Sequence, residues 1–165
     1  MVSMVLLVSP VVAQAETQLA RLAPLPVIKA DKIVVLKGAR QLMLLRNGGV
    51  FQVYPIDLGF RPTGHKVREG DGRTPEGLYE IDWRNPGSRF HLSLRVSYPN
   101  AADQARAAAL GVAPGGMIMI HGQPNEMNGR ALQRDWTEGC IAVSNTHMEQ
   151  IWRAVDDGTP IEIRP

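Results

Sequence analysis

Apolar and polar positions alternate over several short stretches of the chain, and a period of two predicts strands rather than helices. Lys32 to Lys37 (KIVVLK) is apolar and β-branched at its centre, and Gln41 to Arg46 (QLMLLR) follows it after Gly38-Ala39-Arg40. Asn47-Gly48-Gly49 is a strong turn signal between Arg46 and a third strand over Val50 to Leu58. The domain therefore opens with an antiparallel meander. Further strands are predicted at Leu78 to Trp83, Phe90 to Val96, Met117 to Ile120, Gly139 to Val143 and Pro160 to Arg164 (PIEIR). The period lengthens in two places. Asn100 to Leu110 is Ala-rich, with Asn100 as a cap, Asp103 in the first turn and Gly111 as the stop. Asn145 to Val155 places Met148, Ile151, Trp152 and Val155 on one face. Between strands, residues 59–77 hold five glycines and two prolines with no periodicity, a loop long enough to suggest function. About eight short strands and two helices predict a mainly β domain with two or three short helices, built as a β-sandwich or a partly closed barrel.

The ends of the chain add a compartment to this picture. Met1 to Val12 is apolar apart from two serines, and Ala13-Gln14-Ala15 offers small residues at the spacing a signal peptidase reads. The run is too short for a stable membrane anchor. The expected organisation is a signal peptide over 1–15, a linker over 16–30 broken by Pro24 and Pro26, and one domain over 31–165, exported to the periplasm. A net charge of +2 without a basic run excludes a polyanion-binding stripe, so no nucleic-acid partner is expected.

Export changes the meaning of the one cysteine. Cys140 cannot form an internal disulfide, and a lone thiol in an oxidising compartment is a liability unless it is used. Two segments carry the candidate chemistry: Ile120-His121-Gly122 and Thr137-Glu138-Gly139-Cys140-Ile141. A thiol ionises too high to be an ample nucleophile at neutral pH, but an adjacent imidazole can take its proton and hold the thiolate as an ion pair. Gly139 leaves the sulfur reachable, and the amides around Gly139 and Cys140 could receive an oxyanion.

These residues resemble the L,D-transpeptidase catalytic domain family, with its YkuD-type fold. The family's His-Gly is matched by His121-Gly122, its Ser/Thr-x-Gly-Cys by Thr137 to Cys140, and its following Asn by Asn145. Thr74-Pro75-Glu76-Gly77 and Gly158-Thr159-Pro160 match two further motifs that each precede a strand. The strings GDGRTPEGLYEI, SYPNAADQAR, IHGQPN and DWTEGCIAVSN are similar to one periplasmic branch, the YafK-like murein transpeptidases. The resemblance implies a cysteine acyl transfer on peptidoglycan tetrapeptide stems, with Cys140 as nucleophile and His121 as base. Attack would fall on the L-centre of diaminopimelate and release D-Ala. An amine on another stem or on a wall-anchored lipoprotein would take the acyl group, or water in a hydrolytic variant. It further implies that the Gly122 carbonyl orients the imidazole, that Thr137 shapes the site, and that no cofactor is needed. Glu138 and Ala142 depart from the pattern, since many members carry His and Arg there.

Arg134 or Arg73 is expected to supply the positive charge that Ala142 lacks, and Trp136 and, further off, Tyr98 are candidate walls of the groove. His65, His91 and His147 have no metal-ligand spacing, so no metal site is expected, and His147 is expected at the surface. A non-catalytic peptidoglycan-binding module is the competing reading.

Overall fold

The computed structural model describes residues 26–126 and 132–165. The expected signal segment, and the linker as far as residue 25, lie outside the described residues. Strands β1 (Lys32–Leu36), β2 (Gln41–Arg46) and β3 (Gly49–Pro55) form the expected antiparallel meander. Asn47 and Gly48 both take positive φ, 51° and 78°, the turn geometry that matches the twist of a two-residue hairpin. β4 (Gly77–Asn85) and β5 (Ser93–Val96) pair antiparallel, followed by helix α1 (Ala101–Ala109). Two very short strands, β6 (Met119–His121) and β7 (Ile141–Ala142), precede helix α2 (Asn145–Ala154) and the last strand, β8 (Pro160–Arg164).

All eight strands join one mixed sheet in the order β3-β2-β1-β8-β4-β5-β6-β7. β8 runs between β1 and β4, parallel to β1. The sheet curls until its edges meet. Just beyond β3, Asp57 and Ala142 of β7 exchange two backbone hydrogen bonds, of 2.9 and 2.8 Å, and Gly59 bridges Thr137. The architecture is therefore the partly closed barrel of the two alternatives, and a separate second sheet is not formed by the described residues.

The core gathers between the sheet and α2. Ile33, Leu42, Ile81, Leu94, Ile120 and Ile141 meet Met148, Ile151 and Val155 of the α2 region there, as the period of that helix predicts. Trp152 packs at its margin. Helix α1 begins in a capping box in which Asn100 and Asp103 each accept the other's backbone N–H. Gly111 turns the chain away at φ 65° and donates to the Ala108 carbonyl.

The glycine-rich loop is held down by two buried lysines. Lys37, 2% exposed at the end of β1, donates to the carbonyls of Gly64 and Thr74 and to Glu76 Oε1, at 2.6, 2.9 and 2.8 Å. Burial lowers its pKa and the Glu76 carboxylate opposes that shift. Lys66 donates to Asp71 Oδ1 at 3.0 Å. Burial pushes the Asp71 carboxyl up, but N–H groups of Val67, Arg68 and Arg73, together with Lys66, overcome this and hold it at about 2. Replacing Lys37 by methionine fills similar space and leaves its three acceptors unmatched. The expected loss is about 2–4 kcal/mol in urea unfolding, with amide exchange accelerated over residues 62–76. A loss within experimental error would mean that the loop is anchored without it.

Candidate active site

The two short parallel strands bring the candidate residues together. Ile120 pairs with Ile141 and His121 with Ala142. Ile120 and Ile141 point into the core, so alternation turns His121, Ala142 and the preceding Cys140 to the opposite face. His121 is 3% exposed, while Cys140 is only partly buried.

The imidazole is fixed in one tautomer. Its Nδ1 lies 2.7 Å from the Gly122 carbonyl oxygen and must donate to it, which leaves Nε2 as the acceptor. Phe90 packs against the ring at 4.6 Å between centroids, and Trp136 meets it edge-on at 5.6 Å. Burial lowers the His121 pKa, opposed by the bond to Gly122. Burial raises the Cys140 thiol, with Glu138 adding to the rise and the Met119 backbone and Lys66 opposing it. Burial thus favours the neutral form of both the thiol and the imidazole, and works against the ion pair expected from the sequence. No hydrogen bond joins the two groups in this structure. The sulfur lies 3.6 Å from the Met117 carbonyl, and Met117 itself takes a φ of 55°. Catalytic hydrogen bonds of this kind commonly tighten only when substrate arrives.

The pH dependence follows with its sign. Iodoacetamide alkylation of Cys140 is expected to climb through and beyond pH 9.0, the ordinary thiol value, without a plateau below about pH 8. A plateau near neutrality would mean a preformed thiolate. For stability, the lowered His121 pKa favours the neutral ring in the folded state. Its contribution is present above the ordinary 6.5 and is lost as pH falls through the folded value.

Thr137 braces the turn that presents the thiol. Its Oγ1 donates to the Cys140 carbonyl at 2.8 Å and accepts from the Gly139 N–H at 3.2 Å. The Gly139 amide is therefore engaged, whereas among the described residues the Cys140 N–H has no protein acceptor and is left available to an incoming oxygen. Gly139 is required by space as well as by its φ of 127°, because a Cβ there would lie 2.6 Å from the Arg73 carbonyl oxygen. At Gly122 a Cβ would lie 2.6 Å from Asn145 Oδ1.

The remaining expected residues divide. Trp136 walls the face beside His121, and its buried Nε1 has no protein partner. Asn145 braces the same turn by accepting the Gln123 N–H at 2.7 Å. Arg73 touches the site through its carbonyl, and the residue also lines a separate pocket. Arg134 lines a cleft of about 740 Å³, which reaches Ala142 and Gln123 but is lined by neither Cys140 nor His121. Tyr98 is not brought to the site. It is 5% exposed, donates to the Pro114 carbonyl at 3.1 Å, and burial pushes its hydroxyl pKa up to about 12. His147, expected at the surface, is half-buried, with its ring tilted against Tyr54 at 5.2 Å and its Nδ1 buried. Phe90 and Lys66, which sequence reasoning did not single out, are among the closest influences on the imidazole and the thiol.

A parallel-strand pair presenting a thiol and a locked imidazole on one face of a partly closed barrel defines a class. The chain belongs to the L,D-transpeptidase catalytic domain family (YkuD), whose model matches residues 30–163. It is 32% identical over 95 residues to YafK of Escherichia coli (strain K12), a match spanning 56% of this chain and 32% of that protein. It is also similar to the helical cell shape determining protein Pgp2 of Campylobacter jejuni, at 26% identity and a TM-score of 0.63, covering 81% of this chain and 46% of that one. L,D-transpeptidase 1 of Mycobacterium tuberculosis shares the fold at 18% identity and a TM-score of 0.50, covering 81% of this chain and 60% of that one. The matches to YafK and Pgp2 thus span less than half the length of each of those relatives.

Proposed function

We propose that this chain is a murein L,D-transpeptidase in which Cys140 is the nucleophile and His121 the general base. The observation that carries this reading is the pairing of β6 with β7, which sets His121 and Cys140 on one face, with no partner at Nε2 among the described residues. The Sγ proton passes to Nε2 as sulfur attacks the carbonyl carbon at the L-centre of diaminopimelate. The Cys140 N–H receives the oxyanion. When the tetrahedral adduct collapses, the C–N bond to D-Ala breaks, the imidazolium protonates the leaving amine, and a thioester remains. An acceptor amine on a second stem, or on a wall-anchored lipoprotein, then displaces the sulfur while His121 takes its proton. Residues 1–15 would export the chain to the periplasm, where such stems are found, with 16–30 as linker and 31–165 as the catalytic domain.

The test is a mass-spectrometric digest in which residues 16–165 and the Cys140→Ala variant are each incubated with diaminopimelate-containing tetrapeptide stems. Loss of D-Ala with dimer formation by the parent alone is the expected result. Loss with addition of water alone would replace transfer by hydrolysis. Equal behaviour of the parent and the variant would overturn the assignment of the nucleophile and favour a binding module.

A further inference from the structure

Beside the loop that presents Cys140 lies a pocket of about 400 Å³ lined by Arg61, Arg68 and Arg73, with Val67, Leu110 and Val112 as its apolar wall. Elsewhere the arginines are mostly engaged: Arg40 with Asp135, Arg95 with Asp82, Arg106 with Asp103, and Arg84 with two backbone carbonyls. The three in the pocket make no side-chain hydrogen bond or ion pair among the described residues, and Arg73 Nε is buried without a partner. The one acid in the pocket, Asp71, offers them little. Both of its oxygens are occupied, by Lys66 Nζ and the Arg73 N–H on one side and by the Val67 and Arg68 N–H groups on the other. Three like charges lining one pocket repel one another, and Arg73, whose Nε is buried, also carries a desolvation cost that an anion would offset. The pocket is coupled to the nucleophile through the backbone, because the Arg73 carbonyl packs against Gly139, next to Cys140.

Resting on the proposed stem-peptide reading, we infer that Arg61, Arg68 and Arg73 form a subsite for a carboxylate of the donor stem carried on an aliphatic arm. The guanidinium fork matches a carboxylate in two-point contact, and the apolar wall matches the methylene groups that carry it. This supplies from the glycine-rich loop the positive charge that Ala142 does not provide after the nucleophile. A carboxylate bound here would hold the stem against the wall while its scissile carbonyl lies at Cys140.

The test crosses substrate with enzyme. Tetrapeptide stems are prepared with the free carboxylates of D-Glu, diaminopimelate and D-Ala amidated one at a time, and D-Ala release by the parent is compared with that of Arg73→Gln and of the double variant Arg61→Gln, Arg68→Gln. One amidated stem is expected to raise the parent's KM by about tenfold or more, with kcat little changed. The variants are expected to show the raised KM on the free stem and no further loss on that amidated stem. Which amide does this identifies the carboxylate. Indifference of the parent to all three amides overturns the inference, as does an equal loss by the variants on free and amidated stems. The double variant alters only exposed side chains, so a fold defect in Arg73→Gln leaves the test intact. If the parent turns over no stem at all, the stem-peptide reading itself fails. That outcome is distinct from turnover that ignores the amides.

Discussion

Replacing His121 by glutamine is expected to lower kcat for acyl transfer by about 10²–10⁴-fold, the range associated with losing a positioned general base. The amide cannot accept and return a proton across Nε2, although it can still donate toward the Gly122 carbonyl and so preserve the turn. The same variant is expected to be alkylated by iodoacetamide above pH 9.0 at nearly the parent's rate. Burial favours the neutral form of both groups, so the thiolate is expected to appear through bulk deprotonation rather than by transfer to His121. Steady-state D-Ala release and an alkylation pH profile measure the two effects separately. If alkylation at neutral pH falls together with kcat, the resting state is an ion pair and burial does not govern the site.

The second large effect is expected at Gly139. Alanine there meets the Arg73 carbonyl and must also adopt a φ of 127°, a region L-residues rarely occupy. The loop and the turn are pressed together at this point, since a Cβ added at Gly59 would likewise clash with the Gly72 carbonyl oxygen and lie 2.8 Å from Gly139. Little can move to relieve the contact. A cost of about 3 kcal/mol or more in thermal or urea unfolding is expected. Activity should fall by at least ~10²-fold even where the variant remains folded, because a displacement of about 1 Å at the nucleophile is sufficient for that. Gly48→Ala is the control. It also takes a positive φ, but its Cβ meets nothing within 4 Å. It should cost about 1 kcal/mol and leave kcat unchanged. Comparable losses at both positions would mean that backbone strain, rather than the contact with Arg73, limits the site.

Much of the local structure was legible in the sequence because it depends on short-range chemistry. The Asn47-Gly48 hairpin, the Asn100 cap and the apolar face of α2 are set by neighbours in the chain, and each formed as its residue types require. The pairing of β6 with β7 was implied only through the likeness of two separated motifs to a known family. Lys37 and Lys66 were overlooked because lysine is by default a surface residue, and only the tertiary structure shows the carbonyls and carboxylates that satisfy them. Phe90 was read as one position of an alternating strand. The chain instead bends at His91, with φ 68°, which allows Phe90 to lie against the imidazole. Tyr98 illustrates the opposite error, in which an aromatic residue credited to the groove serves the core.

The place of β8 has a consequence for how the molecule comes into being. β8, which follows the other seven strands in chain order, lies in the middle of the sheet, parallel to β1 at one side and antiparallel to β4 at the other. Until residues 160–164 arrive, the opening meander and the β4–β5 pair have no backbone connection through this part of the sheet. Pairings so distant in sequence close slowly, because the entropy of a long loop must be overcome before any contact rewards it. A nascent or truncated chain lacking β8 therefore carries two open strand edges, at β1 and β4, each a template for pairing with another chain. Self-association before completion, rather than instability afterwards, is the hazard that this topology builds in.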